Sequence, residues 1–346
     1  MRLKEQDSIV FVVNIPSFYK KKLFNRIALK RKVYAVFTDK DHPDRNADFF
    51  SGGQEYESRQ LGSLPLIKKL IELWGLIRGG KYSLLVIGGW DSAANWIAAF
   101  ASPKGKNAVM VESSLHESQT AGLKGLLKKL FLKRMSVVFA SGSSQEKLVR
   151  KLGFEGEVVK TKGVGIFNSV PQPPYEERNE VRNFLFVGRL VEVKNLPLAI
   201  KVFNSLPQLT LNIVGFGELE RDLKAMAGPN IVFHGAVKNE DLPGYYKAAD
   251  VFILPSCSEV WGLVVEEALN NGTPVILSDR VGCAEELLAG CNCGLVFESG
   301  SEESLKSAVL KMTEPKLYNS MRRAIADMDF AEIQEKQAAC YADYGK

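Results

Sequence analysis

Long apolar runs are missing from this sequence of 346 residues. No stretch approaches the roughly 18 consecutive apolar residues of a membrane-spanning helix, and the amino terminus has acidic residues before its first apolar run, which is untypical of a signal peptide. Histidine is scarce, with three residues, and the five cysteines are an odd number spread thinly. We therefore expect no disulfide framework, and we expect a chain in the reducing cytoplasm.

The composition is ordinary but the charge is not evenly distributed. Hydrophobic residues make up 46% and charged residues 25%, which excludes a disordered chain, a collagen-like fibre and a membrane bundle. Residues 1–170 contain 28 Lys and Arg against 15 Asp and Glu, whereas residues 171–346 contain 17 against 25. We therefore expect the amino-terminal half to face an anionic partner, either a membrane surface or nucleic acid.

Strand-like apolar runs alternate with helical patterns along the chain, which predicts βαβ units and parallel sheets. The predicted strands are 9–14, 33–38, 83–88, 108–112, 137–141, 157–160, 183–187, 209–214, 231–234, 251–255, 274–278 and 294–297. The proline-rich segment 169–180 is typical of an interdomain linker. It separates a predicted amino-terminal domain, 1–168, from a carboxyl-terminal domain, 181–324, and a helical pattern follows that could pack on either domain.

Two glutamates eight residues apart mark the most informative segment, 255–276. A predicted strand leads into a loop that contains Glu259, and a helix that contains Glu267 begins at about Gly262. The unpaired amides of the loop and of the helix N-terminus suit a phosphate, and Gly262 lets a ligand approach the backbone closely. Carboxylates beside such a site can accept hydrogen bonds from sugar hydroxyls; a pair of solvated glutamates is the alternative.

This segment resembles the signature of retaining GT-B glycosyltransferases of family 4, in which seven residues separate a first Glu from a second Glu that precedes Ala. The string SE-x-WGLVV-x-EA and the later SDRVGC resemble a bacterial branch of that family. The resemblance implies that Glu259 contacts the hydroxyls of the donor sugar and that Glu267 binds the ribose of the nucleotide. The main chain expected along the sugar and diphosphate is that of Val260, Trp261, Gly262, Leu263 and Val264.

A second motif, Gly188-Arg189-Leu190 with Lys194-Asn195, follows the first strand of the carboxyl-terminal domain. It puts two cations at the carboxyl edge of a sheet, where ligands bind in open α/β folds; two surface cations at a helix start are the alternative. The family has the same string, and its Arg and Lys clamp the donor diphosphate. The resemblance therefore assigns Arg189 and Lys194 to catalysis together with Glu259, with Gly188 beside the donor.

The turn at 215–217 lacks the third glycine of a dinucleotide-binding fingerprint, which disfavours a dehydrogenase. In the family this turn lies near the nucleotide base, which implies a donor contact for Phe216. The amino-terminal half resembles the family mostly by pattern. Ser17, in a loop that resembles a Pro-Ser-x-Tyr opening, and His116 are candidates for contact with the donor sugar or the acceptor, although a single histidine is more often structural.

Metal and cofactor sites have little support in the sequence. The triplet DKD at 39–41 has the form that holds a divalent metal in other glycosyltransferases, but it lies far from the donor motifs and is more simply a solvated loop. Three cysteines between positions 283 and 293 have no nearby histidine and make a poor zinc site. We therefore expect no cofactor and no metal, with the nucleotide sugar as a substrate.

Residues 122–134 form a predicted basic amphipathic helix, with leucines and Phe131 at helical spacing and lysines at most other positions. Such a helix can lie on an anionic bilayer; the alternative is packing on its own sheet with a solvated cationic face. A second basic stretch runs over 20–32. With the excess positive charge of this half, these features favour an anionic membrane surface; nucleic acid is not expected, because no recognised module is present.

The sequence thus predicts an α/β chain with a GT-B fold, two Rossmann-like domains facing across a cleft. The resemblance implies that the amino-terminal domain binds the acceptor and that the carboxyl-terminal domain binds the nucleotide sugar. It also implies that a last helix, about 325–346, crosses back to the amino-terminal domain. It also implies a retaining, metal-independent transferase that moves a hexosyl group from a UDP- or GDP-linked sugar to a lipid-linked or glycan acceptor. We expect it in bacterial surface polysaccharide or lipopolysaccharide synthesis, peripheral on the inner face of the cytoplasmic membrane. A nucleotide-sugar epimerase and a non-catalytic nucleotide-sugar-binding subunit are the alternatives.

Overall fold

The computed structural model describes residues 7–40, 47–115 and 117–345. The chain divides into two compact units, of which the second runs from Phe167 to Phe330. The first unit contains the chain up to Ile166 together with the chain end from Ala331 onward. The end of the chain therefore returns to the unit in which the chain begins.

The proline-rich segment 169–180, predicted as a linker, lies in the second unit. The backbone N–H of Val170 donates to Asn270 Oδ1 at 2.8 Å, and that of Arg178 donates to Asn319 Oδ1 at 3.0 Å. Arg178 also forms an ion pair with Asp250. The segment lies in no helix or strand, so side chains of the second unit accept these hydrogen bonds from its backbone.

The first unit is a parallel sheet with helices on both faces, as the alternating pattern predicts. In chain order its elements are β1 (Ser8–Val13), α1 (Phe18–Ala28), β2 (Lys32–Phe37), β3 (Glu57–Gln60), α2 (Leu66–Ile77), β4 (Leu84–Ile87), α3 (Ala93–Ala101), β5 (Asn107–Val111), α4 (Gly122–Leu132), β6 (Val137–Ala140), α5 (Ser143–Lys151) and β7 (Glu157–Lys160). Within the described residues the strands pair in the order β3-β2-β1-β4-β5-β6-β7, with parallel neighbours throughout.

The second unit has the same layered architecture. Its elements are β8 (Asn183–Val187), α6 (Leu196–Asn204), β9 (Thr210–Val214), α7 (Glu220–Met226), β10 (Ile231–Gly235), α8 (Leu242–Ala248), β11 (Val251–Leu254), α9 (Leu263–Asn270), β12 (Val275–Ser278), α10 (Ala284–Leu288), β13 (Gly294–Phe297), α11 (Glu302–Met312) and α12 (Pro315–Ala326), after which α13 (Phe330–Ala342) leads into the first unit. The described strands pair in the order β10-β9-β8-β11-β12-β13. The strand order reverses beside β8, which makes a switch point where open α/β folds bind ligands.

Every predicted strand is present among the described residues, within one residue of its predicted ends. The sequence prediction missed β3, whose four residues are polar and exposed at a sheet edge. Strand β1 is buried along its whole length, which explains its nearly continuous apolar sequence. In the described part of the chain, no helix has both the length and the apolar character needed to cross a membrane.

The basic stretch at 20–32, predicted to face an anionic membrane, mainly binds groups of the first unit itself. Arg26 and Lys30 both form ion pairs with Glu335 of α13. Arg31 is buried and donates to the carbonyl oxygen of Tyr344 at 2.7 Å. These contacts hold the end of the chain against α1 and the residues that follow it, and membrane contact of this stretch stays a prediction.

Candidate functional site

Two loops meet at the carboxyl edge of the second sheet, beside the switch point. The loop after β8 contains Arg189 and Lys194, and the loop after β11 contains Glu259. The backbone joins the loops, because Cys257 N–H donates to the Val193 carbonyl oxygen at 2.9 Å. Lys194 Nζ donates to a carboxylate oxygen of Glu259. The fold therefore brings two motifs that are 65 residues apart to one place.

Arg189 and Lys194 differ in their partners. The side chain of Lys194 is 14% exposed and that of Glu259 is 19% exposed, so their ion pair is largely shielded from water. Arg189 is half-buried, and its guanidinium has no hydrogen bond or ion pair with any residue in the described ranges. An arginine fork left open at a strand end is suited to a phosphate, which it can bind through two parallel hydrogen bonds.

Glycines allow the turn after β9 to approach the end of β8. Gly215 has φ of +139°, and a Cβ there would lie 1.8 Å from the Gly188 carbonyl oxygen. A Cβ on Gly217 would lie 2.4 Å from the Leu190 carbonyl oxygen. Leu190 N–H donates to the Phe216 carbonyl oxygen at 2.9 Å, and the Phe216 side chain is 38% exposed. The turn is thus fixed by backbone packing and leaves an aromatic ring uncovered at this edge.

Gly262 precedes α9 with φ of +99°, in the left-handed region that favours glycine. The first hydrogen bond of the helix runs from Val265 N–H to the Gly262 carbonyl oxygen at 2.8 Å. The amides of Leu263 and Val264 come before it, at the positive end of the helix dipole. This helix end therefore presents backbone donors that suit an anionic ligand.

Gly282 holds the loop 278–283 against Glu259, a role that the sequence did not indicate. Gly282 N–H donates to the Glu259 carbonyl oxygen at 2.8 Å, and Glu259 N–H donates to the Arg280 carbonyl oxygen at 3.1 Å. A Cβ on Gly282 would lie 1.9 Å from the Val260 carbonyl oxygen. The position of Glu259 therefore depends on a glycine 23 residues further along the chain.

Trp261 and Glu266 form a buried pair behind this loop. Trp261 is 1% exposed, and its indole Nε1–H donates to Glu266 Oε2 at 2.8 Å. Burial raises the pKa of Glu266 to about 8; the indole hydrogen bond opposes the shift and the Glu267 carboxylate adds to it. The indole faces the protein interior, so the predicted donor contact of Trp261 is confined to its backbone. Sequence reasoning did not single out Glu266.

Glu267, predicted to bind a ribose, is buried and 7% exposed. Its Oε2 accepts a hydrogen bond from Tyr246 Oη at 3.0 Å, which joins α9 to α8. Burial, together with the Glu267 carboxylate, raises the pKa of the Tyr246 phenol. The structure thus gives Glu267 a packing partner that the sequence did not indicate, and its contact with a nucleotide stays a prediction.

The other candidates belong to the first unit or lie outside the described residues. Ser17 precedes α1; its side chain is buried, and its hydroxyl has no hydrogen-bond partner among the described residues. His116 lies outside the described residues, as does Asp41 of the DKD triplet. Asp39 forms an ion pair with Lys69 at 3.5 Å. In the described ranges, no cluster of three or more His, Cys, Asp or Glu could hold a metal ion, and the five cysteines are free.

Most of the second unit is similar to a known family. Residues 172–328 match the family model described as Glycosyl transferases group 1. These residues are similar to that family, and we call them the group 1 domain. This group 1 domain takes up nearly all of the second unit and contains Arg189, Lys194 and Glu259 together with the loops that position them.

Several curated glycosyltransferases match this chain over part of their length. The chain is 34% identical over 166 residues to the O-antigen biosynthesis glycosyltransferase WbnH of Escherichia coli, covering 47% of this chain and 46% of WbnH. It is 32% identical over 158 residues to the UDP-Gal:alpha-D-GlcNAc-diphosphoundecaprenol alpha-1,3-galactosyltransferase of Escherichia coli, covering 40% and 38%. It is 39% identical over 123 residues to the sulfoquinovosyl transferase SQD2 of Arabidopsis thaliana, covering 34% and 24%. The matched region thus spans less than half of each relative.

Solved structures match nearly the whole chain. HepE of Anabaena, in complex with UDP-glucose, superimposes with a TM-score of 0.71 at 16% identity, covering 96% of this chain and 98% of HepE. The lipopolysaccharide outer core galactosyltransferase WaaB gives 0.70 at 16% identity, with the same coverage. At such identity the likeness establishes the fold alone. That fold is the one found in GT-B glycosyltransferases, which confirms the predicted fold class.

Proposed function

We propose that this chain is a retaining glycosyltransferase of family 4 that moves a sugar from a UDP- or GDP-linked donor to a hydroxyl of a lipid-linked or glycan acceptor. The proposal rests on one observation. The guanidinium of Arg189, which has no partner among the described residues, lies at the same sheet edge as the Lys194–Glu259 ion pair, within the group 1 domain. The relatives support the donor and acceptor classes, since one is named for O-antigen synthesis and another for a sugar linked to diphosphoundecaprenol. Bacterial surface polysaccharide or glycolipid synthesis is the setting that follows.

The leaving group determines what the cations do. Breaking the glycosidic bond leaves a nucleotide diphosphate on which negative charge grows. Arg189, Lys194 and the amides at the start of α9 stabilise that charge where it develops. Because two side-chain cations and a helix end supply the stabilisation, we propose that the reaction needs no metal ion.

Glu259 orients the sugar by accepting hydrogen bonds from its hydroxyls. The bond from the anomeric carbon to the diphosphate oxygen breaks, and the acceptor hydroxyl oxygen forms its new bond on the face that the diphosphate leaves. Because the new bond forms on that same face, the anomeric configuration is retained. The departing phosphate oxygen takes the acceptor proton. Glu259 is not the nucleophile in this scheme, because its carboxylate is held in the ion pair with Lys194.

Sugar transfer is tested by incubating the protein with UDP- and GDP-sugars and a lipid-linked acceptor, and by assigning the product with NMR. We expect a product with the anomeric configuration of the donor, formed at the same rate with and without EDTA. An inverted product would contradict the retaining mechanism, and loss of activity in EDTA would contradict metal independence. Release of an epimerised free sugar would favour the epimerase alternative.

We propose further that α4 rests on an anionic membrane at its cytoplasmic face. Within α4 the residues that are buried are Gly125, Phe131 and Leu132. The leucines are 43–73% exposed: Leu123, Leu126, Leu127 and Leu130. These leucines therefore do not pack on the sheet, which was the alternative that the sequence left open. Exposed leucines interleaved with lysines fit the boundary between acyl chains and anionic head groups.

Helix α2 adds apolar surface on the same side of the sheet. Leu73 of α2 and Phe131 of α4 pack in one hydrophobic cluster, so both helices cover one face of the first sheet. Leu66, Ile67 and Ile71 on α2 are 60–73% exposed. One bilayer could therefore contact both helices.

Replacing Leu126 and Leu130 together by serine should weaken co-sedimentation with anionic vesicles by more than tenfold, because each buried leucine contributes about 2 kcal/mol. Binding of the wild-type protein should also weaken as salt is raised. Leu310→Ser on α11 of the second unit, where the leucine is 42% exposed, is the matched control and should leave binding unchanged. Equal binding of all three proteins, or binding that ignores salt, would remove the membrane proposal.

A further inference from the structure

A pocket of about 680 Å³ opens in the first unit at the carboxyl ends of β4 and β5. Trp90 and Asp91 line it from the loop after β4, Ser113 from the loop after β5, and Lys124 and Lys128 from α4. Pockets of several hundred Å³ are the size at which proteins enclose small organic ligands. The donor chemistry derived above makes no use of this pocket.

Lys128 presents an ammonium group to the pocket, whose lining also contains the carboxylates of Asp91 and Glu117. Its Nζ donates to Ser118 Oγ at 2.6 Å and to the Gln119 carbonyl oxygen at 3.0 Å, and it lies 5.6 Å from the centre of the Trp90 ring. It forms no ion pair with any residue that the structure describes. Burial lowers the pKa of Lys128, and the Asp91 carboxylate opposes this shift. A half-buried ammonium without an ion-pair partner is a favourable contact for an anionic ligand.

Asp91 and Lys124 leave their charged groups open to the pocket. Both side chains are exposed, and neither makes a hydrogen bond or an ion pair within the described part of the chain. Trp96 Nε1–H donates to the Trp90 carbonyl oxygen at 3.0 Å, which fixes Trp96 in the pocket wall. A carboxylate beside indole rings is suited to sugar hydroxyls and apolar sugar faces, and two ammonium groups are suited to a phosphate.

Leu127 connects the pocket to the apolar surface of α4. It lines the pocket and is 44% exposed, and the helix carries further exposed leucines beside it. A ligand with a polar head and an apolar chain could therefore place its head in the pocket while its chain leaves along α4. A soluble sugar phosphate would make no use of that exit.

We propose that this pocket binds the phosphorylated sugar head group of a lipid-linked acceptor. Lys124 and Lys128 contact the phosphate, Asp91 accepts a hydrogen bond from a sugar hydroxyl, and Leu127 directs the lipid chain towards the membrane. The assignment of the ligand as an acceptor rests on the proposed function, whereas the head-group chemistry rests on the pocket itself.

The test is calorimetric titration of the full-length protein, without donor, with decyl-linked diphosphates of glucose, galactose and N-acetylglucosamine below their micelle concentrations. Decyl diphosphate without a sugar is the comparison probe. At least one sugar probe should bind tenfold or more tightly than decyl diphosphate. Asp91→Asn should remove that gain, and Lys124→Gln should weaken every probe about tenfold. Lys129→Gln, on the same helix but outside the pocket lining, should bind as the wild type does.

Several outcomes would overturn the pocket assignment: no binding of any probe, no gain from a sugar, or equal loss in Lys124→Gln and Lys129→Gln. UDP and GDP titrations on the same proteins separate this assignment from the proposed function. If the wild type binds a sugar probe through the pocket but binds neither nucleotide, the proposed function fails and the pocket stands. If nucleotides bind but the pocket variants keep wild-type affinity for the probes, the pocket assignment fails alone.

Discussion

Replacement of Arg189 by alanine should lower kcat of sugar transfer by about 100- to 1000-fold, the usual cost of removing one donor that stabilises developing charge. The guanidinium has no partner among the described residues, so its loss leaves no protein group unsatisfied and the fold should survive. Initial rates with the preferred donor, together with thermal unfolding of both proteins, measure the two expectations.

Arg221→Ala is the control for Arg189→Ala. The Arg221 side chain is 94% exposed on α7 and pairs with the adjacent Asp222. The same loss of charge at this position should leave kcat at the wild-type value. Wild-type turnover in a well-folded Arg189→Ala protein would contradict the diphosphate clamp.

Stability of the group 1 domain should fall as pH rises from about 5 to 8, because of Glu266. Burial raises the pKa of this carboxyl to about 8 in the folded protein, whereas an unperturbed glutamate loses its proton near pH 4.5. Between these values the folded state binds more protons than the unfolded state, so raising the pH favours unfolding. The loss amounts to about 4 kcal/mol across the window.

Glu266→Gln removes this titration and can still accept the hydrogen bond from the Trp261 indole. At pH 8 the variant should unfold about 10 °C above the wild type, and at pH 5 the two should unfold together. Glu240→Gln, in which an exposed carboxylate is lost, should match the wild type at both pH values. A Glu266→Gln protein that is no more stable than the wild type at pH 8 would show that this carboxyl is ionised in the folded state.

The central strands could be predicted from the sequence because helices cover both faces of each sheet. β1 is buried on both sides and reads as an almost unbroken apolar run. β3 escaped prediction because it is the edge strand of the first sheet, and its sequence ESRQ has no buried side chain. Backbone pairing with β2 alone marks it as a strand.

Helical spacing of leucines could not determine which way α4 faces. Leu126, Leu130 and Phe131 belong to one amphipathic pattern, yet Phe131 is fully buried and the leucines are exposed. Phe131 packs edge-on against Trp96, with ring centres 5.3 Å apart. Such a contact between α3 and α4 depends on tertiary packing, which periodicity within one helix does not report.

Site residues could be predicted where a short sequence motif contains them. They could not be predicted where their contacts are with residues far away in the sequence. The Arg189 and Lys194 string indicates a cationic strand end by itself. The partner of the basic stretch at α1, Glu335, is more than 300 residues away in the sequence. The pairing of Trp261 with Glu266 depends on which side chains the loop turns inward, and residue spacing carries no indication of that.

Binding of a nucleoside diphosphate by the group 1 domain is the central claim, and a thermal-shift panel of UDP, GDP, ADP, NAD and their common sugar conjugates tests it most directly. At 100 times its dissociation constant a ligand adds about 2.7 kcal/mol of stability. We predict an upward shift of about 5 to 10 °C with either the UDP or the GDP family, lost in Arg189→Ala. No shift with any nucleoside diphosphate, or a shift with NAD alone, would contradict the account.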